Sequence, residues 1–352
     1  MSRPKWLKSS FVKNKLYELF LMDYYIKAKN IKKADSNAIL IVLGGGLGDT
    51  LVHYPAVKYI IAHYTCGKVL VATEDKWISH YEVLNLKTVF YTYTNNLFKR
   101  LSINRKFFKE VNRFKPQRVI YFHAYKQLHK FIGCESAIAG GYISKNEIDK
   151  KTRYFKQDKL VLDLMYEYLF ELFNRKNIVI DFSIHWPYRN KEYSNIICFG
   201  VGAAGAHKMM EVEKSVEIIK YLSKHFPDKI IILMGSGERQ ERYANRILEM
   251  IDNDSVKSTI NAFSIVESFT VINSCYIYFG PDSALYNAAA LFGRPTVVFF
   301  PYEKQPFEHA LPNVAHVKGD GNITHEKFEF GTKLLNSITI EDIENKLIEL
   351  KL

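Results

Sequence analysis

The sequence predicts an α/β protein made of two doubly wound parallel-sheet domains facing a cleft. Three observations predict this. From Ala38 onward, apolar runs of about four to six residues alternate with helix-length segments, the pattern of a parallel sheet covered by helices. The alternation breaks around Asp181–Asn195, where "DFSIHWPYRNKEYSN" is polar and aromatic, and then starts again. Several strand ends run into glycine-bearing turns, which is where open parallel sheets receive ligands. A chain of 352 residues with 47% hydrophobic content can fill two cores.

Residues 1–35 read as a basic extension. "FVKNKLYELFLMDYYIKAKNIKK" sets Phe11, Leu16, Leu19, Phe20, Tyr24 and Ile26 at helical spacing among lysines. Such a helix suits an anionic bilayer surface, or equally a domain surface with its lysines in water. The first domain spans 36–185. In it "AILIVLG" is a buried strand, and "TLVHYPAVKYIIAHY" is a helix with Pro55 inside it or near its start. "KVLVAT" is the next strand, and "VNRFKPQRVIYFHA" ends in another. The stretch around Asp181–Asn195 reads as the linker.

The second domain spans 186–352. "NIICFGVGAAGAHK" is a strand and glycine turn, and "EVEKSVEIIKYLSKHF" a helix. "KIIILMGSGERQERYANRIL" is strand, turn and helix, and "CYIYFGPDSALYNAAALFG" repeats that form. "PTVVFF" is a further strand. "TIEDIENKLIEL" closes the chain as a helix free to pack back on the first domain.

The net charge of +12 points to an anionic partner: nucleic acid, an acidic lipid surface or a phosphorylated substrate. No RNP, helix-turn-helix or zinc-finger pattern accompanies it, so no nucleic-acid partner is expected. The four cysteines, Cys66, Cys134, Cys198 and Cys275, stand far apart without CxxC spacing. That argues against a zinc site or disulfide framework and for a reducing cytosol. No run approaches the roughly 18 apolar residues of a membrane span, and there is no secretory h-region.

Four strand-to-turn junctions carry the candidate chemistry. In "GGGLGD", Gly44, Gly45, Gly46 and Gly48 allow a tight turn and close approach of a ligand. Asp49 stands where a dinucleotide fingerprint has its third glycine, and no GK[ST] follows. A carboxylate there can act as a general base or can cap the helix. In "GVGAAGAHKMM", the turn around Gly202 offers backbone N–H groups to an anion, and Lys208 adds a point charge. In "LMGSGERQER", Glu238 can cap its helix or bind a ribose hydroxyl. In "YFGPDSALYNAAALFG", Asp282 and Ser283 cap an alanine-rich helix whose first N–H groups suit a phosphate.

Taken together and in order, "GGGLGDTLVHYPAV", "GVGAAGAHK" and "FSIVESFTVINSCYIYFGPDSALYNAAALFGRPTVVFF" resemble glycosyltransferase family 9, the lipopolysaccharide heptosyltransferases. The resemblance runs from about Ile39 to about Pro312, with no recognisable match in the stretch from roughly 75 to 180. It implies a GT-B fold of two Rossmann-like domains, the first for the acceptor and the second for the nucleotide sugar. It implies an inverting, metal-independent transfer without a cofactor, typically of a heptose from ADP-heptose to the lipopolysaccharide inner core. Asp49 matches the proposed base, with Gly45, Gly46 and Gly48 on the acceptor side. Lys208 matches the lysine that contacts the donor's phosphates, and Asp282, Ser283 and Ala284 match the diphosphate-binding segment. Gly202, Glu238, Pro281 and Asn287 complete the expected donor site. The family usually has Gly where Ala284 stands and His where Asn287 stands, two departures that bear on the donor's identity. The implied acceptor is an anionic glycolipid at the cytoplasmic face of the inner membrane. The basic helix and residues such as Lys99, Arg100, Arg105 and Lys106 would meet it.

Overall fold

The computed structural model describes residues 17, 19–24, 37–44, 46–94, 96–122, 131–132, 134, 136–141, 152–156, 161–174, 178–203, 205, 208–301, 311–319, 329–330 and 333–352. Gly45 and most of the basic extension, Phe11, Leu16 and Ile26 included, lie outside them. The chain forms two compact units, Met1–Ile180 and Asp181–Leu352.

The first unit contains β1 (Ile39–Leu43), α1 (Leu47–His63), β2 (Val69–Glu74), α2 (Ile78–Val83), β3 (Val89–Tyr91) and α3 (Leu97–Phe114). They are followed by β4 (Arg118–Phe122), β5 (Ser136–Gly141), β6 (Thr152–Lys156) and α4 (Val161–Phe173). Its strands lie in the order β3-β2-β1-β4-β5-β6, every pair parallel. β1 is apolar at every position because it is buried at every position, as a central parallel strand covered on both faces must be. Pro55 sits inside α1.

Leu40 and Val42 of β1, with Val119 and Tyr121 of β4, face Leu101, Phe107, Phe108 and Val111 of α3. Tyr17 and Leu21 belong to the same core. The described part of the extension is therefore packed on its own domain. Asn104 Nδ2 donates to the Tyr17 hydroxyl at 2.5 Å, and the Arg100 guanidinium lies over the Tyr17 ring at 3.9 Å. Burial pushes the Tyr17 phenol up, against the pull of Asn104 and Arg100.

The second unit contains β7 (Ile196–Gly200), α5 (Val212–His225), β8 (Ile230–Met234), α6 (Glu238–Glu249), β9 (Val256–Ser258) and α7 (Ile265–Ser274). Then come β10 (Ile277–Pro281), α8 (Ala284–Leu291), β11 (Thr296–Phe300), β12 (Val314–Lys318) and α9 (Ile340–Glu349). The order is β12-β11-β10-β7-β8-β9, again all parallel. Read from the opposite edge, this is the permutation of the first sheet. Each unit is thus doubly wound, and the direction of winding reverses between β1 and β4 in one and between β7 and β10 in the other. Ligands of such sheets bind beyond the carboxyl ends of the strands at that reversal.

Alternation divides the second sheet. Ile197 and Phe199 of β7, Ile231 and Leu233 of β8, and Ile277 and Phe279 of β10 share one core with α5, α6 and α9. α9 contributes Ile343 and Leu347 to this core, so the closing helix packs on the sheet of its own unit. Its start is sealed reciprocally: Thr339 Oγ1 accepts from Asp342 N at 3.1 Å, and Thr339 N donates to Asp342 Oδ2 at 2.8 Å.

The expected linker is a docked strap. Ile184 N donates to Leu291 O at 2.7 Å. The buried Trp186 ring stacks on Phe292 at 5.7 Å, meets Phe269 edge-on at 5.2 Å, and donates from Nε1 to Thr270 Oγ1 at 3.3 Å. Asn273 Nδ2 donates to Tyr188 O, and Ser274 Oγ accepts from Asn190 N, both at 2.9 Å. The polar, Pro-bearing composition that suggested a linker instead supplies these bonds to α7 and α8.

Candidate functional site

In the second unit, the turn after β7 and the turn after β10 leave adjacent strands on either side of the winding reversal. β7 and β10 pair in register from Ile277–Ile197 to Phe279–Phe199, so their carboxyl ends stop level. Lys208, from the first turn, reaches Asp282, from the second, and its Nζ donates to Oδ2 at 2.5 Å. Only 6% of the Asp282 side chain and 24% of the Lys208 side chain is exposed. Two residues singled out separately in the sequence therefore form one charge pair at the place where a ligand is expected.

Ser283 is the N-cap of α8. Its Oγ accepts from Tyr286 N at 3.3 Å, leaving Ala284 and Leu285 in the open first turn, with N–H groups directed outward as at any helix start. Pro281 ends β10, one residue before Asp282. Asn287 is buried, and its Nδ2 donates to Ser283 O at 3.1 Å, one helical turn back. One of the two N–H groups of that amide is thus engaged by the helix itself.

Tyr278 is a residue of this site that strand patterning alone does not single out. Its side chain is fully buried, and its hydroxyl lies 3.3 Å from Ser283 Oγ. A Cβ at Gly200 would stand 2.1 Å from that hydroxyl oxygen, and one at Gly280 would stand 2.6 Å from it. Both strand ends are glycine because the phenol occupies the space where their side chains would be. Burial pushes the phenol far up, so it stays protonated and keeps a donor beside Ser283. The signal was present in the coincidence of a strand-end glycine in "CFGVG" with "YIYFGPDS", but a tyrosine in a strand reads as ordinary core.

The other glycine turns are held in the same way. Gln240 lies under Gly202, where a Cβ would meet its side chain at 3.2 Å. At Gly235 a Cβ would fall 2.1 Å from its Oε1. The same oxygen accepts from Ser236 N at 3.1 Å. Arg239 donates to Ala203 O at 2.8 Å and so steadies the strand-end segment leading toward Lys208. Glu238 does not cap α6. The N-cap is Gly237 at φ 90°, a conformation that suits glycine, and its N–H is taken by Asn261 Oδ1 at 2.7 Å. Glu238 is exposed and pairs with Arg242 one turn on, at 3.4 Å.

In the first unit, β1 delivers Gly44 and Gly46 to the start of α1, with Gly48 and Asp49 in its first turn. Asp49 Oδ2 accepts from Gly46 N at 2.8 Å, and Thr50 Oγ1 donates to Gly46 O at 3.1 Å. Asp49 therefore closes its own turn. This fixes the carboxylate at the carboxyl edge of β1, a geometry compatible with either reading of the residue. The buried Tyr81 hydroxyl lies near Thr50 and Thr73. Burial pushes it up to about 12, and the Asp49 charge pushes the same way.

Two of the cysteines, separated by sequence, meet in the fold. Cys198 and Cys275 are buried free thiols; Cys275 Sγ donates to Ile272 O at 3.2 Å, and burial, with Cys275 pushing the same way, moves the Cys198 thiol well up. Among the described residues, no group of three His, Cys, Asp or Glu side chains is arranged to hold a metal ion. Nor is any helix among them long and apolar enough to cross a membrane.

No protein-family model and no curated protein sequence matches the chain. Solved structures do. The chain is similar to the glycosyl transferase family 9 protein from Veillonella parvula DSM 2008, with TM-score 0.67 and 15% identity over 91% of this chain and 99% of that one. It is similar to the E. coli heptosyltransferase WaaC with ADP, with TM-score 0.68 and 14% identity over 89% and 99%. It is also similar to E. coli ADP-heptose lps heptosyltransferase II, with TM-score 0.63 and 16% identity over 88% and 98%. Likeness over nearly the whole of each chain at such low identity shows the fold: two Rossmann-like parallel-sheet units, arranged along the sequence as in these glycosyltransferases.

Proposed function

We propose that the protein is an inverting, metal-independent glycosyltransferase that moves a heptose from ADP-heptose to an anionic inner-core glycolipid. The observation that carries this reading is the Lys208–Asp282 pair beside the N-terminus of α8, at the winding reversal of the second sheet. A cation and a helix start side by side suit a diphosphate leaving group, whose charge grows as the glycosidic bond breaks. Lys208 would exchange Asp282 for the diphosphate or bridge the two. Asp49 would take the proton from the acceptor hydroxyl, whose oxygen attacks the anomeric carbon from the face opposite the diphosphate. The sugar passes through an oxocarbenium-like state, and its configuration inverts. The E. coli neighbour solved with ADP-2-deoxy-2-fluoro heptose supports a nucleotide-sugar donor.

The test is transfer to a truncated core glycolipid in EDTA, with ADP-heptose and with UDP- and GDP-sugars in parallel. Transfer from ADP-heptose that survives the chelator and collapses in Asp49→Asn supports the reading. Transfer from another donor only keeps glycosyl transfer and discards heptose. That second reading is favoured by Ala284 and by Asn287, whose amide is turned onto Ser283. Binding of donors without turnover would make the protein a nucleotide-sugar-binding homologue.

A further inference from the structure

Three residues, 44–46, join β1 to α1 in the first unit, whereas eleven, 201–211, join β7 to α5 in the second. Lys208 stands near the end of the longer connection, outside any α-helix or strand. Such a segment has no helix or sheet ladder to fix it, and ordering it costs conformational entropy. A cation that is to meet Asp282 therefore needs its backbone held from elsewhere in the chain. Three side chains do this. Arg239 and Tyr243 lie one turn apart on one face of α6 and take the two ends of the connection. Arg239 donates to Ala203 O at 2.8 Å. The Tyr243 hydroxyl donates to Met210 O at 2.9 Å and also reaches Glu211 O at 3.3 Å. Ser215 Oγ lies 2.7 Å from the same phenol oxygen. A phenol has one proton and a carbonyl can only accept, so Ser215 is the donor in that pair. Tyr243 and Ser215 are both buried, and burial pushes the phenol far up, so the proton stays in place. The third side chain is Asn336, which meets Glu211 twice. Its Oδ1 accepts from Glu211 N at 3.0 Å, and its Nδ2 donates to Glu211 Oε2. Leu335 and Ile338, on either side of Asn336, share one core with Met209 and Met210.

We propose that Tyr243 and Asn336 are positioning residues for Lys208: by fixing Met210 and Glu211 they hold its ammonium against Asp282. Apolar side chains of the same size would fill the core as well, but only the hydroxyl and the amide bond to the segment that follows the lysine. The last stretch of the chain thereby bears on the site, since Asn336 comes 125 residues after Glu211. The consequence for a ligand rests on the glycosyltransferase reading. A diphosphate would find the cation already placed, and its binding would not have to meet the cost of ordering the segment.

The experiment compares the full wild-type chain with Tyr243→Phe and Asn336→Asp in two measurements. Amide hydrogen exchange of residues 208–211, read by mass spectrometry, reports the hold without any ligand. It should quicken by about tenfold in each variant and stay unchanged in α8. Adding Glu211→Gln to Asn336→Asp exchanges donor and acceptor in that pair and should bring slow exchange back. Calorimetric titration with ADP and with AMP then reports the place of the cation. Wild type should prefer ADP, and each single variant should cut that preference by about fivefold. In a Lys208→Met background neither should cut it further, because both act through the lysine. Unchanged exchange at 208–211 in both variants overturns the proposal, as does exchange that quickens equally throughout the unit. A loss of ADP preference that persists in full in the Lys208→Met background overturns it too. Locally quickened exchange in a chain that binds no ADP would keep the hold on Lys208 and remove the donor reading instead.

Discussion

The Lys208 ammonium lies 2.5 Å from the Asp282 carboxylate, across 74 residues of sequence and the gap between two neighbouring strand ends. Lys208→Met should act in two ways. Removing the cation from the diphosphate site should lower kcat/KM for the donor by about a hundredfold. It also strands a buried carboxylate, which should cost about 1–3 kcal/mol and lower the denaturation midpoint. Asp282→Asn in the same background should restore much of the stability and none of the turnover. Calorimetry beside initial rates separates the two effects.

Asp49 holds its turn through one carboxylate oxygen and Gly46 N. Asparagine can accept that bond and cannot take a proton. Asp49→Asn should therefore leave the unfolding free energy within about 0.5 kcal/mol while turnover falls by about a hundredfold or more. Asp49→Ala should lose the same activity and in addition about 1 kcal/mol of stability. Equal activity in wild type and Asp49→Asn would leave only the capping role.

Gly200 and Tyr278 should couple. Gly200→Ala sets a methyl group against the phenol oxygen and should cost about 2–3 kcal/mol. Tyr278→Phe should cost about 1 kcal/mol through loss of the bond to Ser283. In the double variant the added methyl meets a ring edge without the oxygen. The sum should fall short by about 1 kcal/mol or more, measured by denaturant unfolding of all four proteins. Strict additivity would show that the phenol is not what excludes a side chain at Gly200.

Trp186→Ala should destabilise the second unit by about 3 kcal/mol, because it leaves Phe269 and Phe292 facing a cavity and Thr270 without its indole donor. Trp186→Phe should recover about half of that. A free linker would show neither loss.

Much of this fold is legible because buried parallel strands have little choice of residue. β1, β7, β10 and β11 are apolar runs that end in a change of composition, and each is found within a residue or two of its place. β5, "SAIAGG", and β9, "VKS", carry too little apolar signal to be read as strands, since their places are set by neighbours already in the sheet. Lys208 and Asp282 are each visible at a strand-end turn, but their pairing depends on β7 lying beside β10, which no local pattern states. Glu238 misleads because an acidic residue at a helix start usually caps, whereas here Gly237 and Asn261 already close the turn. The segment around Trp186 misleads because proline and polar residues describe a chain without regular hydrogen bonds, and this one bonds to the helices it crosses.

The crowding around the Tyr278 hydroxyl also orders the routes by which this sequence can drift. While the phenol is present, a side chain at Gly200 or at Gly280 is shut out. Loss of the hydroxyl alone would leave a Cβ at Gly200 3.0 Å from the ring carbon Cζ, so Gly200 opens only when the ring itself is replaced by something smaller, while Gly280 stays closed, since a Cβ there would still stand 2.9 Å from the Gly200 carbonyl oxygen. In descendants of this chain, then, substitution at Gly200 should arise only on a background that has already lost the tyrosine, while Gly280 outlasts both.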